Sequence, residues 1–93
     1  MTKEELKLIH KHSYNNRVEI EDSVQCGCFN CLEMFSPEII SSESWYIRTS
    51  DPVEQTLLCP KCGIDSVIGT ASGYELSLEL LGDLKEYFFN SEI

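Results

Sequence analysis

The sequence predicts a small α+β domain in which short strands and two terminal helices surround a group of cysteines. Three observations support this prediction. The chain has 93 residues, of which 42% are hydrophobic, so it suits one domain whose core is small enough to need an added crosslink. Its cysteines include two C-x-x-C pairs. Helical spacing of apolar residues occurs near both ends, and the segments between carry short strand patterns and turn residues.

The first element is a short basic helix, which we predict over residues 3–12 because a capping box at Thr2–Glu5 precedes an apolar stripe. The polar segment Ser13–Asn16 ends it. Residues 18–21 then alternate apolar and acidic side chains, which weakly predicts a strand or an extended segment. The segment Val24–Cys28 leads into the first cysteine pair.

The five cysteines form a C-x-C-x-x-C run and, after 27 residues, a second C-x-x-C pair. A C-x-x-C turn lets two thiolates converge on one ion, and two such turns complete a tetrahedron around zinc. Gly63 follows the second pair, where such a turn often needs a positive φ angle. Four thiolates close the coordination shell, so the zinc would be structural and not catalytic. The expected ligands are Cys28, Cys31, Cys59 and Cys62.

Cys26 is the odd cysteine. We expect it to be a small core residue, because C-x-C chelation is less usual than C-x-x-C; the alternative is that it replaces Cys28 as a ligand. A disulfide scaffold is disfavoured, since the first twelve residues do not resemble a secretory signal and cytosolic thiols stay reduced. A thioredoxin-like redox pair would need a βαβ setting that the pattern does not suggest.

Between the two pairs, Ser36–Glu38 resembles an N-cap, a first-position proline and a first-turn acid, which predicts a short helix over residues 37–43. Residues 45–47 follow as a strand and Arg48–Gln55 as a polar turn. Residues 56–58 are predicted to be the strand that delivers the second pair. An apolar cover for the metal is expected from Phe29, Leu32, Met34 and Phe35.

After the second pair, residues 64–68 are ambiguous between a strand and a helical turn, and Gly69–Gly73 is predicted to be a loop. Ser77 is a candidate N-cap for an amphipathic helix over residues 78–89. Its apolar stripe comprises Leu78, Leu81, Leu84 and Phe88. The expected single domain therefore has a basic N-terminal helix and turn (1–17), a zinc-knuckle core (24–69) and a C-terminal helix (77–89).

Charge is unevenly distributed along the chain. The formal net charge is −9, yet residues 1–17 hold four bases against two acids, and residues 18–93 hold three bases against fourteen acids. Such a surface repels phosphate backbones, because nucleic-acid affinity depends on lysine and arginine. We expect a protein partner with a basic surface and no nucleic acid. No apolar run approaches the length of a membrane span, so we expect no membrane association and a cytoplasmic location.

The sequence resembles a family of small bacterial and phage proteins labelled only as cytoplasmic proteins and treated as zinc-ribbon-like. The resemblance spans residues 10–89, nearly the whole chain, and rests on the segments Cys28–Ile39, Cys59–Gly69 and Ser72–Tyr74. It implies a zinc-ribbon or treble-clef-like fold and no particular activity. Here the stretch Ser41–Gln55 is longer than is usual in the family, and this stretch is a candidate for a partner-specific insertion.

Several other residues invite a functional interpretation, and each also has a structural one that we favour. His10 and His12 point to different faces of a helix and are expected at the surface. Asp65 and Ser66 are expected to cap or to hydrogen-bond a thiolate. The segment Asn15–Arg17 is expected to be a helix-ending turn. Four aromatic residues are expected in the core, with a contact to a partner protein as the alternative. They are Trp45, Tyr46, Phe88 and Phe89.

Three classes of function are consistent with these patterns. The first is an acidic zinc-binding module that binds another protein, by analogy with inhibitors, immunity proteins and counter-defence factors. The alternative is a zinc-ribbon accessory to nucleic acid or transcription, which the scarcity of bases disfavours. A thiol redox or metal sensor is supported only by Cys26. We favour the first class and expect no enzymatic activity.

Overall fold

The computed structural model describes residues 2–47 and 51–90, and its helices and short antiparallel strands form the predicted α+β arrangement. The α-helices are α1 (Lys3–His10), α2 (Arg17–Glu21) and α3 (Leu78–Lys85), and a π-helical segment (Glu86–Asn90) extends α3. The strands are β1 (Cys26–Cys28), β2 (Met34–Phe35), β3 (Trp45–Ile47), β4 (Gln55–Leu57) and β5 (Val67–Gly69). No helix in the described ranges has the length and apolar character that crossing a membrane would need.

The strands make two small antiparallel sheets. In the first, β1 lies between β2 and β5, and Cys26 is paired with Phe35 on one side and Gly69 on the other. In the second, β3 pairs with β4 and places Trp45 opposite Leu57. The first C-x-x-C pair therefore begins at Cys28, the last residue of β1, and ends in the β1–β2 connection, whereas the second pair lies between β4 and β5.

Strand β1 separates two hydrophobic cores. Its cysteines belong to the cysteine core, whose buried members are Ile20, Cys26, Cys28, Phe35, Leu57, Cys59 and Val67. The helix core contains Leu6, Ile9, Phe29, Ile68, Leu80, Leu81 and Leu84. Gly27 lies between them because α3 packs closely here: a Cβ at Gly27 would be 2.9 Å from Cδ1 of Leu81. Close packing against Leu81 therefore explains the glycine at this position.

The buried side chain of Asn16 joins the helical N-terminus to both sheets. Its amide nitrogen donates to the backbone oxygens of His12 at 2.9 Å and Val67 at 3.0 Å. Its amide oxygen accepts from the backbone N–H of Leu57 at 3.0 Å. Both amide hydrogens and one of the two oxygen lone pairs are thus hydrogen-bonded. This identifies Asn16 as a structural residue in the predicted helix-ending turn.

The predicted strand at residues 18–21 is wrong, because these residues form helix α2. The helix begins directly after Asn16, whose backbone oxygen accepts from the N–H of Ile20 at 2.8 Å. It buries Ile20 completely and leaves Val18 half exposed. An alternation of only two apolar residues does not distinguish a strand from one turn of helix that buries a single side chain.

The predicted helix at residues 37–43 is also wrong, because the chain forms two separate 3₁₀ turns at Pro37–Ile39 and Ser42–Ser44. Ser36 caps the first turn as predicted. The backbone is then extended at Ile40, and Ile39 is half exposed, so no buried apolar face supports a continuous helix.

The C-terminal helix begins after its predicted N-cap, Ser77, whose hydroxyl accepts from the N–H of Leu80 at 3.1 Å. Its buried stripe differs from the prediction, because Leu78 is 64% exposed and Leu80 is buried. Leu78 is the first residue of the helix, and the residues that pack into the helix core begin at Leu80. The predicted turn at Arg48–Gln55 lies partly outside the described residues; within them, Pro52–Glu54 forms a 3₁₀ turn and Gln55 begins β4.

Candidate metal centre

The two C-x-x-C pairs lie in turns with the same backbone hydrogen bonds. In the first turn the N–H of Leu32 donates to the oxygen of Cys28 at 2.9 Å, and in the second the N–H of Gly63 donates to the oxygen of Cys59 at 2.8 Å. Both residues after the second cysteine have positive φ angles, 64° at Leu32 and 80° at Gly63. The prediction for Gly63 is confirmed.

Leu32 adopts the same left-handed conformation although its Cβ makes that conformation unfavourable by about 1–2 kcal/mol. Its side chain packs against the helix core, and this burial offsets the backbone cost. The two turns are therefore equivalent in backbone shape, and only the second uses glycine. A search for glycine after C-x-x-C detects the second turn and misses the first.

The turns bring four sulfur atoms together, all within 4.8 Å of one another: those of Cys28, Cys31, Cys59 and Cys62. We call these residues the four-cysteine cluster. Between the two turns, the sulfurs of Cys28 and Cys62 are 3.6 Å apart and those of Cys31 and Cys59 are 3.8 Å apart. A tetrahedron with metal–sulfur bonds of about 2.3 Å has edges of about 3.8 Å. The cluster therefore has the size needed to hold one metal ion.

Backbone and amide N–H groups are directed at the sulfurs. Cys28 Sγ accepts from the backbone N–H groups of Asn30 at 3.3 Å and Cys31 at 3.4 Å. In the second turn, Cys59 Sγ accepts from the N–H of Lys61 at 3.3 Å. Such donors stabilise negative sulfur, so both turns are arranged for thiolates.

Two polar side chains complete the hydrogen bonding around the sulfurs. The Asn30 amide donates to Cys62 Sγ across the two turns at 3.4 Å. The Ser66 hydroxyl and Cys28 Sγ are hydrogen-bonded at 3.0 Å, so the contact with a cysteine sulfur that the sequence predicts for Ser66 is present. Asn30 was not singled out from the sequence; its only signal is a polar side chain inside the C-x-x-C turn.

Burial and hydrogen bonding shift the pKa values of the cluster thiols in opposite directions. Burial raises the pKa of Cys59 to about 12, and it also raises the pKa of Cys31. Burial acts in the same direction on Cys62, but hydrogen bonds, led by the one from Asn30, outweigh it and lower the pKa to about 7. A bound divalent ion supplies the positive charge that lets buried thiols lose their protons together.

Cys26 lies outside the four-cysteine cluster. It is fully buried in the cysteine core, and burial raises the pKa of its thiol to about 11. A neutral buried thiol behaves as a small apolar residue. The structure therefore places Cys26 where the core interpretation expects it.

The apolar cover of the cluster differs from the expected one. Phe35 belongs to the cysteine core, but Phe29, Leu32 and Met34 pack with the helix core on the other side of β1. The cluster is covered instead by Ile20, Leu57 and Val67 and, at its edge, by Ile40 and Trp45. These residues are distant in sequence from the first pair, so local pattern does not identify them.

The histidines are more enclosed than the surface positions expected for them. His10 stacks on Phe88 with ring centroids 3.9 Å apart. Burial lowers the pKa of His10, and the opposing effect of the Asp65 charge is smaller. His12 Nδ1 lies 2.9 Å from a carboxylate oxygen of Glu19. Neither histidine belongs to the four-cysteine cluster.

The aromatic residues divide between core and surface. Trp45 is half-buried against the cysteine core, with the Arg17 guanidinium 4.9 Å from its ring centroid. The core expectation is wrong for Tyr46, which is 56% exposed, and for Phe89, which is 43% exposed. Arg17 also bonds to Glu21 and Gln55, so this cation of the basic N-terminus is held within the fold.

Comparisons with protein-family models, with curated proteins and with solved structures found no match to this chain. The description of the site therefore rests on its own geometry: two equivalent turns, four sulfur atoms within 4.8 Å of one another, and hydrogen-bond donors directed at them.

Proposed function

We propose that this chain is a small acidic zinc-binding module that acts by binding another protein with a basic surface. The metal is the first part of the proposal. Sulfur donors in a tetrahedral arrangement suit zinc, with iron as the other ion that such a site accepts. The size of the four-cysteine cluster and the equivalence of its two turns support a zinc-ribbon-like fold in which the ion joins the β1–β2 hairpin to the β4–β5 segment.

The role of the metal follows from its ligands. Four protein thiolates fill the coordination shell of zinc and leave no position for water or substrate, so the proposed role is structural. Binding energy on the order of 10 kcal/mol becomes folding energy when the site exists only in the folded chain. Strands of two or three residues and two small cores need such a contribution.

The distribution of charge carries the functional part of the proposal. Residues 18–93 contain fourteen acids and three bases, and Arg17, one of the four N-terminal bases, is engaged with Glu21, Gln55 and the Trp45 ring. An acidic surface raises the association rate with a basic protein and disfavours phosphate backbones. An inhibitor, immunity protein or counter-defence factor would use charge in this way.

An apolar centre for such an interface is available beside the second sheet. Tyr46, Ile47 and Val53 are each more than half exposed, whereas Trp45 is turned toward the cysteine core. Aromatic residues surrounded by charge are frequent in the energetic centre of protein interfaces. The predicted insertion, Ser41–Gln55, contains all three exposed residues, although its residues 48–50 lie outside the described ranges.

The test has two stages. The zinc-loaded chain, immobilised, is used to capture proteins from its host cell, and a captured candidate is then purified and its association rate is measured over a series of salt concentrations. We expect the rate to fall steeply as salt rises. Replacing exposed Glu43 by glutamine should lower the rate more than replacing Thr2 by serine, which changes no charge.

Gel-shift experiments with DNA and RNA provide the opposing measurement. We expect no appreciable binding at physiological salt. Submicromolar, salt-dependent binding to either nucleic acid would contradict the proposal and support the accessory-protein alternative. An association rate with the purified partner that does not depend on salt would contradict the role proposed for the acidic surface.

A further inference from the structure

A small groove beside the second sheet has the composition of a binding site for one side chain. It has a volume of about 260 Å³ and is lined by Tyr14, Tyr46, Thr56, Leu58 and Asp65. We call it the tyrosine groove. Sites for small organic ligands usually have volumes of about 300–1,000 Å³, so this groove suits a single side chain better than a cofactor.

Four separate parts of the chain meet at the tyrosine groove. Tyr14 lies in the turn between α1 and α2, Tyr46 in β3 and Thr56 in β4. The Thr56 hydroxyl accepts from the N–H of Asn15 at 2.8 Å, which fixes the turn that carries Tyr14 against β4. Asp65 follows the second cysteine turn, so the proposed metal also helps to position one wall.

The groove combines aromatic rings with one carboxylate. Tyr14 and Tyr46 are each about half exposed. Asp65 is exposed and makes no salt bridge within the described ranges, although its charge also acts on His10. No lysine or arginine is among the described residues that line the groove. Aromatic faces attract cations, and a carboxylate beside them adds directional hydrogen bonding.

We propose that the tyrosine groove binds an arginine side chain presented by the basic protein partner. Arginine fits better than lysine because its planar guanidinium stacks on a tyrosine ring while its N–H groups reach a carboxylate. The chain's net charge of −9 supports a cationic occupant. This inference rests on the proposed function and identifies the contact by which the partner would be recognised.

The direct experiment uses a defined probe and the metal-loaded chain. N-acetyl-arginine amide is titrated while the amide ¹H–¹⁵N spectrum is recorded, and N-acetyl-citrulline amide, which has similar shape and no charge, serves as the control. We expect arginine-specific shifts concentrated at the groove, with a dissociation constant on the order of 1 mM. Equal shifts with citrulline, or shifts spread over the acidic surface, would overturn the proposal.

Matched variants separate the groove from general electrostatic attraction. Asp65→Asn and Tyr46→Ala should each weaken arginine binding about fivefold. Asp83→Asn removes the same charge from α3, outside the groove, and should leave the affinity within a factor of two. Equal weakening by Asp65→Asn and Asp83→Asn would show that net charge alone attracts the probe.

Arg48 follows Tyr46 by two positions and lies outside the described residues, so it is the competing occupant. If arginine amide binds the Arg48→Ala chain but not the natural chain, the groove serves its own arginine and the proposal is wrong. The same variants tested with the purified partner distinguish the two proposals. A partner that binds with salt dependence but is insensitive to Asp65→Asn and Tyr46→Ala would overturn the groove and leave the proposed function standing.

Discussion

Replacing Asn16 by alanine should destabilise the domain by about 3 kcal/mol. The side chain makes three hydrogen bonds, to the backbone of His12, Val67 and Leu57, and each contributes about 1 kcal/mol. Only 2% of Asn16 is exposed, so water cannot easily replace the lost partners. The loss would be a large fraction of the stability of a small domain.

The assay is urea unfolding of the metal-loaded chain, followed by circular dichroism at a fixed free-zinc concentration. Ser77→Ala provides the calibration, because it removes one capping hydrogen bond on α3 and should cost about 1 kcal/mol. Asn16→Asp keeps an acceptor for the N–H of Leu57 but places a carboxylate beside two backbone oxygens, and it should cost at least as much as Asn16→Ala. A loss at Asn16→Ala no larger than at Ser77→Ala would refute the reasoning.

Three further predictions concern packing, protonation and the odd cysteine. Gly27→Ala should destabilise the domain by about 1–2 kcal/mol because the new Cβ would press on Leu81. Gly82→Ala has open space around its Cβ and should stabilise α3 by up to about 1 kcal/mol. Chemical denaturation measures both changes in the free energy of unfolding, and changes of the same sign would contradict the packing described for Gly27. Burial lowers the pKa of His10 below 6.5, so the folded state favours the neutral imidazole and loses stability as the pH falls through 6.5. His10→Phe should therefore make the melting temperature less sensitive to acid. An unchanged dependence of the melting temperature on pH would count against this prediction. The Cys26→Ala chain should still contain one zinc by elemental analysis, and loss of the metal would identify Cys26 as a ligand.

Much of the architecture follows from short-range patterns. The capping box at Thr2–Glu5 and the N-cap at Ser77 mark the starts of α1 and α3, because capping is a local interaction between a side chain and a nearby backbone N–H. The two C-x-x-C pairs predict the four-cysteine cluster for the same reason: each turn is local, and only their meeting is a tertiary event.

The errors have tertiary causes. Helix α2 exists because Asn16 binds β4 and β5 more than thirty residues away and Ile20 fills the cysteine core. Neither contact leaves a periodic signal in five residues. Phe29 and Phe35 lie close in sequence but on opposite sides of β1, so proximity to the cysteines does not indicate which core a residue enters. The tyrosine groove likewise joins distant segments.

Metal content tests the central claim most directly. Elemental analysis of the purified natural chain should give one zinc per chain, and the double variant Cys59→Ser, Cys62→Ser should give close to none, since it removes half of the four-cysteine cluster. No zinc in the natural chain, or full zinc retention in the double variant, would contradict the account.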